Sequence, residues 1–270
     1  MTILFSIFAF VLGAVFGSFL NVCIYRLPRS LSIVKPGSYC PNCRKPIVWF
    51  DNIPFFGYLF LRGRCRYCHK KISPRYVLVE LLTASLFLAL YRYFGLSASF
   101  FIFGLFIFVL ILVTFIDWEH YLIPVLVVYP GIVLGLLFNF FFPQMAFSAS
   151  RLFALKEAVI GVLLGAGLIY FLGVFGKLIF KKEAMGEGDI YLLAMIGAFL
   201  GWKAVLLTIF FSSLVGTVIT LLLVYVGLKK MTDHIPFGPY LSLGAVIALF
   251  CRGSAFVINY FDQIKYIFNQ

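Results

Sequence analysis

Two aspartates in this chain of 270 residues have the type and setting for hydrolytic chemistry. Asp117 lies in the segment FIDWEHYLIP and Asp189 in GEGDIYLLA, each at the end of an apolar run. Two carboxylates that share one proton can hydrolyse a peptide bond, because one activates water and the other polarises the carbonyl. Gly186 and Gly188 precede the second aspartate, and their missing side chains would let a helix or a substrate backbone approach it. The pair therefore predicts an aspartic protease.

Other interpretations of the acids stay open. A lone acid at a helix end is often a cap or a solvated terminus, and this alternative applies to Asp117 taken alone. Asp233 and His234 form a competing pair before the segment IPFGPY, whose prolines and glycine interrupt helical hydrogen bonding. We interpret Asp233 as a solvated loop acid. No Ser-His-Asp, HExxH or P-loop pattern is present, which argues against serine hydrolases, zinc metalloproteases and nucleotide-binding enzymes.

Four cysteines form a second candidate site, in the pattern C-x2-C-x21-C-x2-C: Cys40, Cys43, Cys65 and Cys68. Two-residue spacers let a tight turn present two thiolates to one tetrahedral zinc ion. Four cysteine ligands leave no open position for water, so the expected zinc is structural. Disulfides and free thiols are weaker alternatives, and His69 is an alternative ligand. Between the pairs lies an aromatic segment in which Asp51 and Asn52 are either a packing clamp or candidate cofactor-binding residues.

The composition places these candidates in a membrane. Hydrophobic residues make up 63% of the chain, and its mean hydropathy is +1.06. A spanning helix needs about 20 mainly apolar residues. Eight segments qualify approximately, with the sixth short: 2–25, 77–94, 100–116, 121–142, 157–180, 189–201, 204–228 and 237–252. The segment 255–268 is expected at the interface. The sequence therefore predicts an all-α polytopic membrane protein with a zinc-ribbon-like loop between its first two spanning helices.

Positive charge sets the expected orientation. Most of the 22 lysines and arginines fall in the loops on one side, above all in loop 26–76. The positive-inside rule puts this loop in the cytosol and the N-terminus outside, with both aspartates on the cytosolic face. The net charge of +12 is thus explained by topology and lipid headgroups, and no nucleic-acid partner is expected. The expected domains are a first helix (1–25), the four-cysteine loop (26–76) and a protease domain (77–270).

The order of these motifs resembles the bacterial type 4 prepilin peptidases, which belong to the GxGD aspartic proteases. The matching elements, in chain order, are the segments GSFLNV (17–22) and YRLP (25–28), the Cys40/Cys43 pair, DNIP (51–54), the Cys65/Cys68 pair, Glu80, Asp117 with Glu119-His120 and Ile123-Pro124, GEGD (186–189) with LLA (192–194), and PFGP (236–239). The family often has lysine, serine and aspartate or asparagine where this chain has Tyr191, Gly57 and Val125.

The resemblance implies a bifunctional enzyme of the bacterial inner membrane. Asp117 and Asp189 would be the protease dyad, which cuts short basic leaders from prepilins or pseudopilins of type IV pili or type II secretion. The new N-terminus would then be methylated from S-adenosylmethionine, with loop 26–76 as the methyltransferase region. Two alternatives remain at this point: a GxGD protease without methylation, and a non-catalytic membrane scaffold or transporter.

Two glutamates flank the expected dyad. Glu119 and Glu187 each stand two residues from one of the aspartates. We expect them to form a negative patch that holds the lysines and arginines of a basic leader. The alternative is that they pair weakly with neighbouring lysines on the surface.

Overall fold

The structure, a computed structural model, describes residues 2–143, 150–180, 186–230 and 235–251, and all the longer secondary-structure elements in this part of the chain are helices. The helices in chain order are α1 (Thr2–Arg26), α2 (Phe56–Phe60), α3 (Arg75–Phe94), α4 (Ala98–His120), α5 (Val125–Phe141), α6 (Arg151–Phe180), α7 (Glu187–Leu200), α8 (Trp202–Tyr225) and α9 (Gly238–Cys251). Two short 3-10 helices cover Leu27–Arg29 and Trp49–Asn52.

The eight longer helices correspond to the eight predicted segments. By length and composition α1, α3, α4, α6 and α8 can each cross a membrane, and α5 and α9 are shorter apolar helices. The all-α polytopic membrane fold is therefore confirmed. The predicted ends are less accurate: α4 continues to His120 instead of ending at 116, so Asp117 lies within its last turn, and α6 begins at Arg151 instead of 157. Helix α2 was not predicted, and segment 255–268 lies outside the described residues.

The chain divides into two compact units, residues 1–116 and 117–270. The first unit holds the loop with the four cysteines, and the second holds both aspartates. This geometric division differs from the boundaries at 25/26 and 76/77 that the sequence suggested, because α1 and α3 pack together and enclose the loop in one unit. The functional division into loop and protease domain stays a prediction.

Helices α1 and α3 of the first unit approach each other closely through glycine. A Cβ atom on Gly13 would lie 2.7 Å from Phe87 Cβ, and one on Gly17 would lie 2.7 Å from Glu80 Cα. Small residues four apart let two helix backbones touch where lipid offers no hydrophobic driving force. The G-x-x-x-G spacing of α1 therefore fixes the position of Glu80 beside the first helix.

Helix α7 is the centre of the second unit, where it packs against α5, α6, α8 and α9. Glycines again allow the close approach, since a Cβ on Gly165 of α6 would lie 2.6 Å from Leu193 O. Asn139 of α5 donates its amide hydrogens to Ala198 O at 2.8 Å and Phe199 O at 3.3 Å. These carbonyls belong to the last turn of α7, where C=O groups have no hydrogen-bond partner within the helix. Packing and this cap together hold α7 in place.

Candidate active site and metal centre

Asp117 is buried at the end of α4, with 5% of its surface exposed. Its Oδ2 atom accepts a hydrogen bond of 2.9 Å from the backbone N–H of Gly238, the first residue of α9. A Cβ atom at Gly238 would lie 2.7 Å from the same oxygen. Glycine at this position therefore lets the backbone reach the carboxylate. The segment PFGP, whose prolines and glycine were expected to interrupt helical hydrogen bonding, supplies this donor.

Asp189 is buried as well, with 7% exposed, in the first turn of α7. Gly186 precedes the helix in an extended conformation, and its carbonyl accepts a 3.1 Å hydrogen bond from the Asp189 N–H. A Cβ on Gly188 would lie 2.7 Å from Ile123 Cβ, whereas one on Gly186 would lie 3.5 Å from Asp189 Oδ2. The second glycine of the motif is thus required for packing against Ile123, and the first leaves space beside the carboxylate.

The two carboxyl groups belong to the same compact unit, and burial, followed by the charge of Asp117, raises the pKa of Asp189. Two buried carboxyl groups within each other's field cannot both ionise freely, so the arrangement suits a pair that holds one proton. Glu119 and Glu187 are exposed next to it. The competing pair Asp233 and His234 lies outside the described residues.

The four cysteines meet in one cluster. The ligand atoms of Cys40, Cys43, Cys65 and Cys68 all lie within 4.8 Å of one another. Their Sγ atoms approach to 3.9 Å between the first and last members and to 4.0 Å between the middle two. Four thiolates at about 2.3 Å from a tetrahedral zinc ion would be about 3.8 Å apart. The cluster fits such an ion, its cysteines are free thiols, and His69 is not a member.

Each cysteine pair folds into the same turn. The Cys40 N–H donates to Lys45 O at 3.0 Å and the Arg44 N–H to Cys40 O at 2.9 Å. The second turn repeats this pattern with Cys65, Lys70 and His69 as the equivalent residues. One isolated antiparallel bridge joins the two residues that flank each turn, Tyr39 with Pro46 and Arg64 with Lys71. Backbone hydrogen bonding from Cys68 is the largest cause that lowers the pKa of the Cys65 thiol, to about 7. Backbone hydrogen bonding from Lys70 lowers the pKa of the Cys68 thiol, but burial and the neighbouring cysteine thiols outweigh it and raise that pKa to about 11.

Asp51 joins the aromatic segment to the second cysteine turn. Its carboxylate accepts a 2.7 Å hydrogen bond from Arg66 Nε and a second from Arg66 Nη2, and the guanidinium also lies over the Phe50 ring at 5.0 Å. The hydrogen bonds from Asp51 raise the pKa of Arg66 above its usual value. This contact corresponds to the packing clamp that the sequence left open for Asp51. Gly57 lies under the same segment, where a Cβ atom would be 1.9 Å from Asp51 O, so serine does not fit this conformation.

Sequence reasoning missed two features of these sites. The donor to Asp117 is a backbone N–H of Gly238, and a main-chain group has no residue-type signal. Buried Asn21, Arg26 and Glu80 line a cavity of about 420 Å³ in the first unit together with Asp51 and Asn52. The first three occur in the segments that carry the family resemblance, but no chemistry was assigned to them. Their signal was available as polar residues at the ends of apolar helices.

The fold and the two sites define a polytopic membrane protein with a buried aspartate pair and a four-cysteine loop. Residues 11–94 match the model of the bacterial peptidase A24 N-terminal domain, and residues 104–221 match that of the type IV leader peptidase family. The first match includes the four cysteines and the second includes both aspartates. The chain belongs to the type IV leader peptidase family.

Similar curated proteins carry the name prepilin leader peptidase/N-methyltransferase. The protein of Aeromonas hydrophila is 37% identical over 264 residues, covering 89% of this chain and 88% of the relative. That of Pseudomonas aeruginosa is 36% identical, with 88% and 87% covered. The Myxococcus xanthus protein is 40% identical over 82% of this chain, which spans 63% of that longer relative. No solved structure matches the chain significantly.

Proposed function

We propose that this protein is a membrane-embedded aspartic endopeptidase that removes leader peptides from type IV prepilins or pseudopilins and N-methylates the new N-terminus. The observation that carries the proposal is the pair Asp117 and Asp189, both buried within one unit of a leader-peptidase chain, with a glycine beside each carboxyl group. A non-catalytic scaffold has no need to bury two interacting carboxyl groups against glycine backbone, because each carries a desolvation cost.

The pair hydrolyses the peptide bond with one shared proton. The ionised carboxylate takes a proton from water, and the protonated one donates a hydrogen bond to the scissile carbonyl. The hydroxyl adds to the carbonyl carbon, the C–N bond breaks, and the amine leaves with the proton. The Gly238 N–H donates to Asp117 Oδ2, and because an ionised or carbonyl oxygen accepts more strongly than a hydroxyl, this bond favours the shared proton on Asp117 Oδ1 or on Asp189. Gly186 provides the open side for an extended substrate backbone.

Leader recognition uses the exposed glutamates. Glu119 and Glu187 lie next to the dyad in the sequence and are exposed in the structure. Positive leader residues bind this negative patch while the scissile bond reaches the aspartates. Contacts of this kind are weak in water and sensitive to salt, so they contribute to capture of the substrate and not to the chemical step.

The four cysteines hold a structural zinc ion. The sulfur distances and the four-thiolate donor set support this assignment. Cys40, Cys43, Cys65 and Cys68 would complete the coordination, so the ion stabilises the two turns and leaves no position for substrate.

Methylation uses S-adenosylmethionine, which carries the transferable methyl group on its sulfonium sulfur. Loop 26–76 is the methyltransferase region, and the cavity beside it has a size within the usual range of small-molecule sites, about 300–1,000 Å³. The protein lies in the bacterial inner membrane with its N-terminus outside, and both the loop and the dyad face the cytosol. The positive-inside distribution supports this orientation.

The test is incubation of the purified protein with a prepilin and S-adenosylmethionine, followed by mass spectrometry of the pilin N-terminus. We expect loss of the leader mass together with the gain of one methyl group. Loss of the leader without methylation would show that the protein is a protease without methyltransferase activity. An unchanged prepilin would exclude the peptidase activity. Omission of S-adenosylmethionine is the matched control, since it should abolish the methyl increment and leave cleavage intact.

A further inference from the structure

The cavity of about 420 Å³ in the first unit is lined by charged and polar side chains that could bind a ligand. Three polar side chains in its wall are buried: Arg26 at 4% exposure, Asn21 at 2% and Glu80 at 8%. Aromatic rings form much of the remaining wall, among them Tyr58 and Tyr76. Buried polar groups are costly unless each is satisfied, so the partners of these three side chains are informative.

Arg26 presents a buried guanidinium without a carboxylate. Its Nη1 donates to Ser32 O at 2.9 Å and its Nη2 to Gly37 O at 3.0 Å, and the group lies 5.4 Å from the centre of the Tyr39 ring. Among the described residues Arg26 forms no ion pair with an acid. A buried cation held by carbonyls and facing a cavity is suited to an anionic ligand group, preferably a planar carboxylate.

Glu80 presents the opposite case. Its Oε2 accepts a 2.9 Å hydrogen bond from the Phe55 N–H, and the Ser18 hydroxyl is a second donor. Phe55 has φ 63°, a left-handed conformation that is costly for a bulky residue, and the bond to Glu80 holds its N–H there. No lysine or arginine pairs with this carboxylate in the described part of the chain. It therefore remains available as an acceptor for hydroxyl, amine or cationic groups.

Asn21 lies on α1 between Arg26 and Gly17, the residue that packs against Glu80. Its Nδ2 donates to Gly17 O at 3.3 Å and to Tyr76 O at 3.0 Å. These bonds fix the orientation of the amide, and its Oδ1 is buried without a hydrogen-bond donor among the described residues. An unpartnered buried acceptor in a cavity wall indicates a missing donor. From Ser18 to Arg26 the helix rises about 12 Å, so the polar groups line an elongated space.

We propose that this cavity binds S-adenosylmethionine, with the Arg26 guanidinium on the carboxylate of its methionine end. That ligand is elongated and joins an anionic carboxylate to cationic and hydroxyl-bearing groups and an adenine ring. Its amine or hydroxyl hydrogens match the acceptors Asn21 Oδ1 and Glu80, and its adenine matches the tyrosine rings of the wall. The inference rests on the proposed methyltransferase function and assigns that function to a place in the fold.

The test measures binding and not turnover. Isothermal titration of the purified full-length protein would compare S-adenosylmethionine with its decarboxylated analogue, which lacks only the carboxylate. A charge-assisted hydrogen bond to Arg26 predicts that the wild type binds the analogue about tenfold or more weakly. The variant Arg26→Gln should bind S-adenosylmethionine more weakly by the same factor and should bind the analogue with unchanged affinity. The reason is that substituting Arg26 and removing the ligand carboxylate each abolish the same interaction.

Arg29→Gln is the matched control. Arg29 follows Arg26 by three residues, is exposed, donates to Tyr25 O and does not line the cavity, so both affinities should stay at their wild-type values. Zinc content reports whether Arg26→Gln keeps its loop folded. If Arg26→Gln loses its zinc, the comparison of the two ligands on the wild-type protein still tests the role of the ligand carboxylate. Equal wild-type affinities for both ligands would overturn the assignment of Arg26 while leaving methylation itself intact. A wild type that binds neither would overturn the methyltransferase function as well.

Discussion

The four-cysteine loop and the aspartate site are held in place by different physical means. Between Ser30 and Leu78 only Cys40, Gly57, Gly63 and Cys65 are buried, so the loop has almost no apolar core. Helix α7, which carries Asp189, buries ten of its 14 residues against its neighbours. The loop must depend on cross-links, the cysteine cluster and the Asp51–Arg66 pair, whereas the aspartates are held by helix packing. The two sites should therefore fail independently.

The largest effect is expected at the dyad. Asp117→Asn or Asp189→Asn removes one half of a proton-sharing pair, so prepilin cleavage should fall by about a thousandfold or more. The metal content of the loop should not change. Mass spectrometry of the prepilin measures the cleavage rate, and zinc analysis of the purified variants measures the metal content. Glu157→Gln, an acid of the second unit remote from the motifs, is the control and should cleave normally. Cleavage within about tenfold of wild type in either asparagine variant would remove that residue from the dyad.

Breaking the cysteine cross-link should act first on the metal content and the loop. Cys40→Ser or Cys68→Ser should release the metal, because each removes one of four ligands, and the loop should become sensitive to protease. Methylation should suffer at least as much as cleavage. Wild-type protein should contain about one zinc per chain. Cys23→Ala is the matched control, since Cys23 is buried in α1 outside the cluster and should leave the metal in place. A wild type clearly below one zinc per chain would contradict the four-thiolate site.

Packing around the dyad gives a smaller but more specific effect. Gly238→Ala places a Cβ 2.7 Å from Asp117 Oδ2, so that carboxylate must shift, and the cleavage rate should drop by about ten- to a hundredfold with little change in KM. Gly186→Ala meets Asp189 Oδ2 at an ordinary 3.5 Å and should cost less.

Gly167→Ala is the control for both substitutions. Gly167 is exposed on α6, and a Cβ there would touch nothing within 4 Å. Alanine also has the higher helix propensity, so folding and activity should be unchanged. Equal activity in Gly238→Ala and Gly167→Ala would show that the Gly238 contact does not position Asp117.

The smallest effect is expected for the leader patch. Glu119→Gln and Glu187→Gln should each raise KM a few-fold for a substrate with a basic leader, because exposed charges contribute weakly. The change should be larger at low salt than at high salt, since salt screens exposed charges. The control substrate has a leader without lysine or arginine, and the variants should treat it like the wild type. If KM is unchanged at low salt and the uncharged leader is cut equally well, the patch plays no part.

Part of the site could be predicted from the sequence because chemistry is tied to residue type and local spacing. C-x2-C specifies a tight turn with two thiolates, and both pairs fold into the same turn in the structure. The G-x-G-D motif specifies a helix start, which Gly186 and Asp189 form. The ends of the helices were less predictable: α4 and α6 extend beyond the predicted segments, because apolar composition changes gradually where a chain leaves the membrane.

By itself the sequence determined the number and type of the long helices, the four cysteines that form one cluster and the two acids that are buried. Each of these follows from hydrophobic length or from residues a few positions apart. Only the tertiary structure decided that the Gly238 N–H reaches Asp117 across 121 positions and that Arg26, Asn21 and Glu80 face one cavity. Helices that are apolar all round carry no amphipathic stripe to tell which face meets which neighbour. Close backbone contacts at glycines make that choice, and they exist only once the helices are packed.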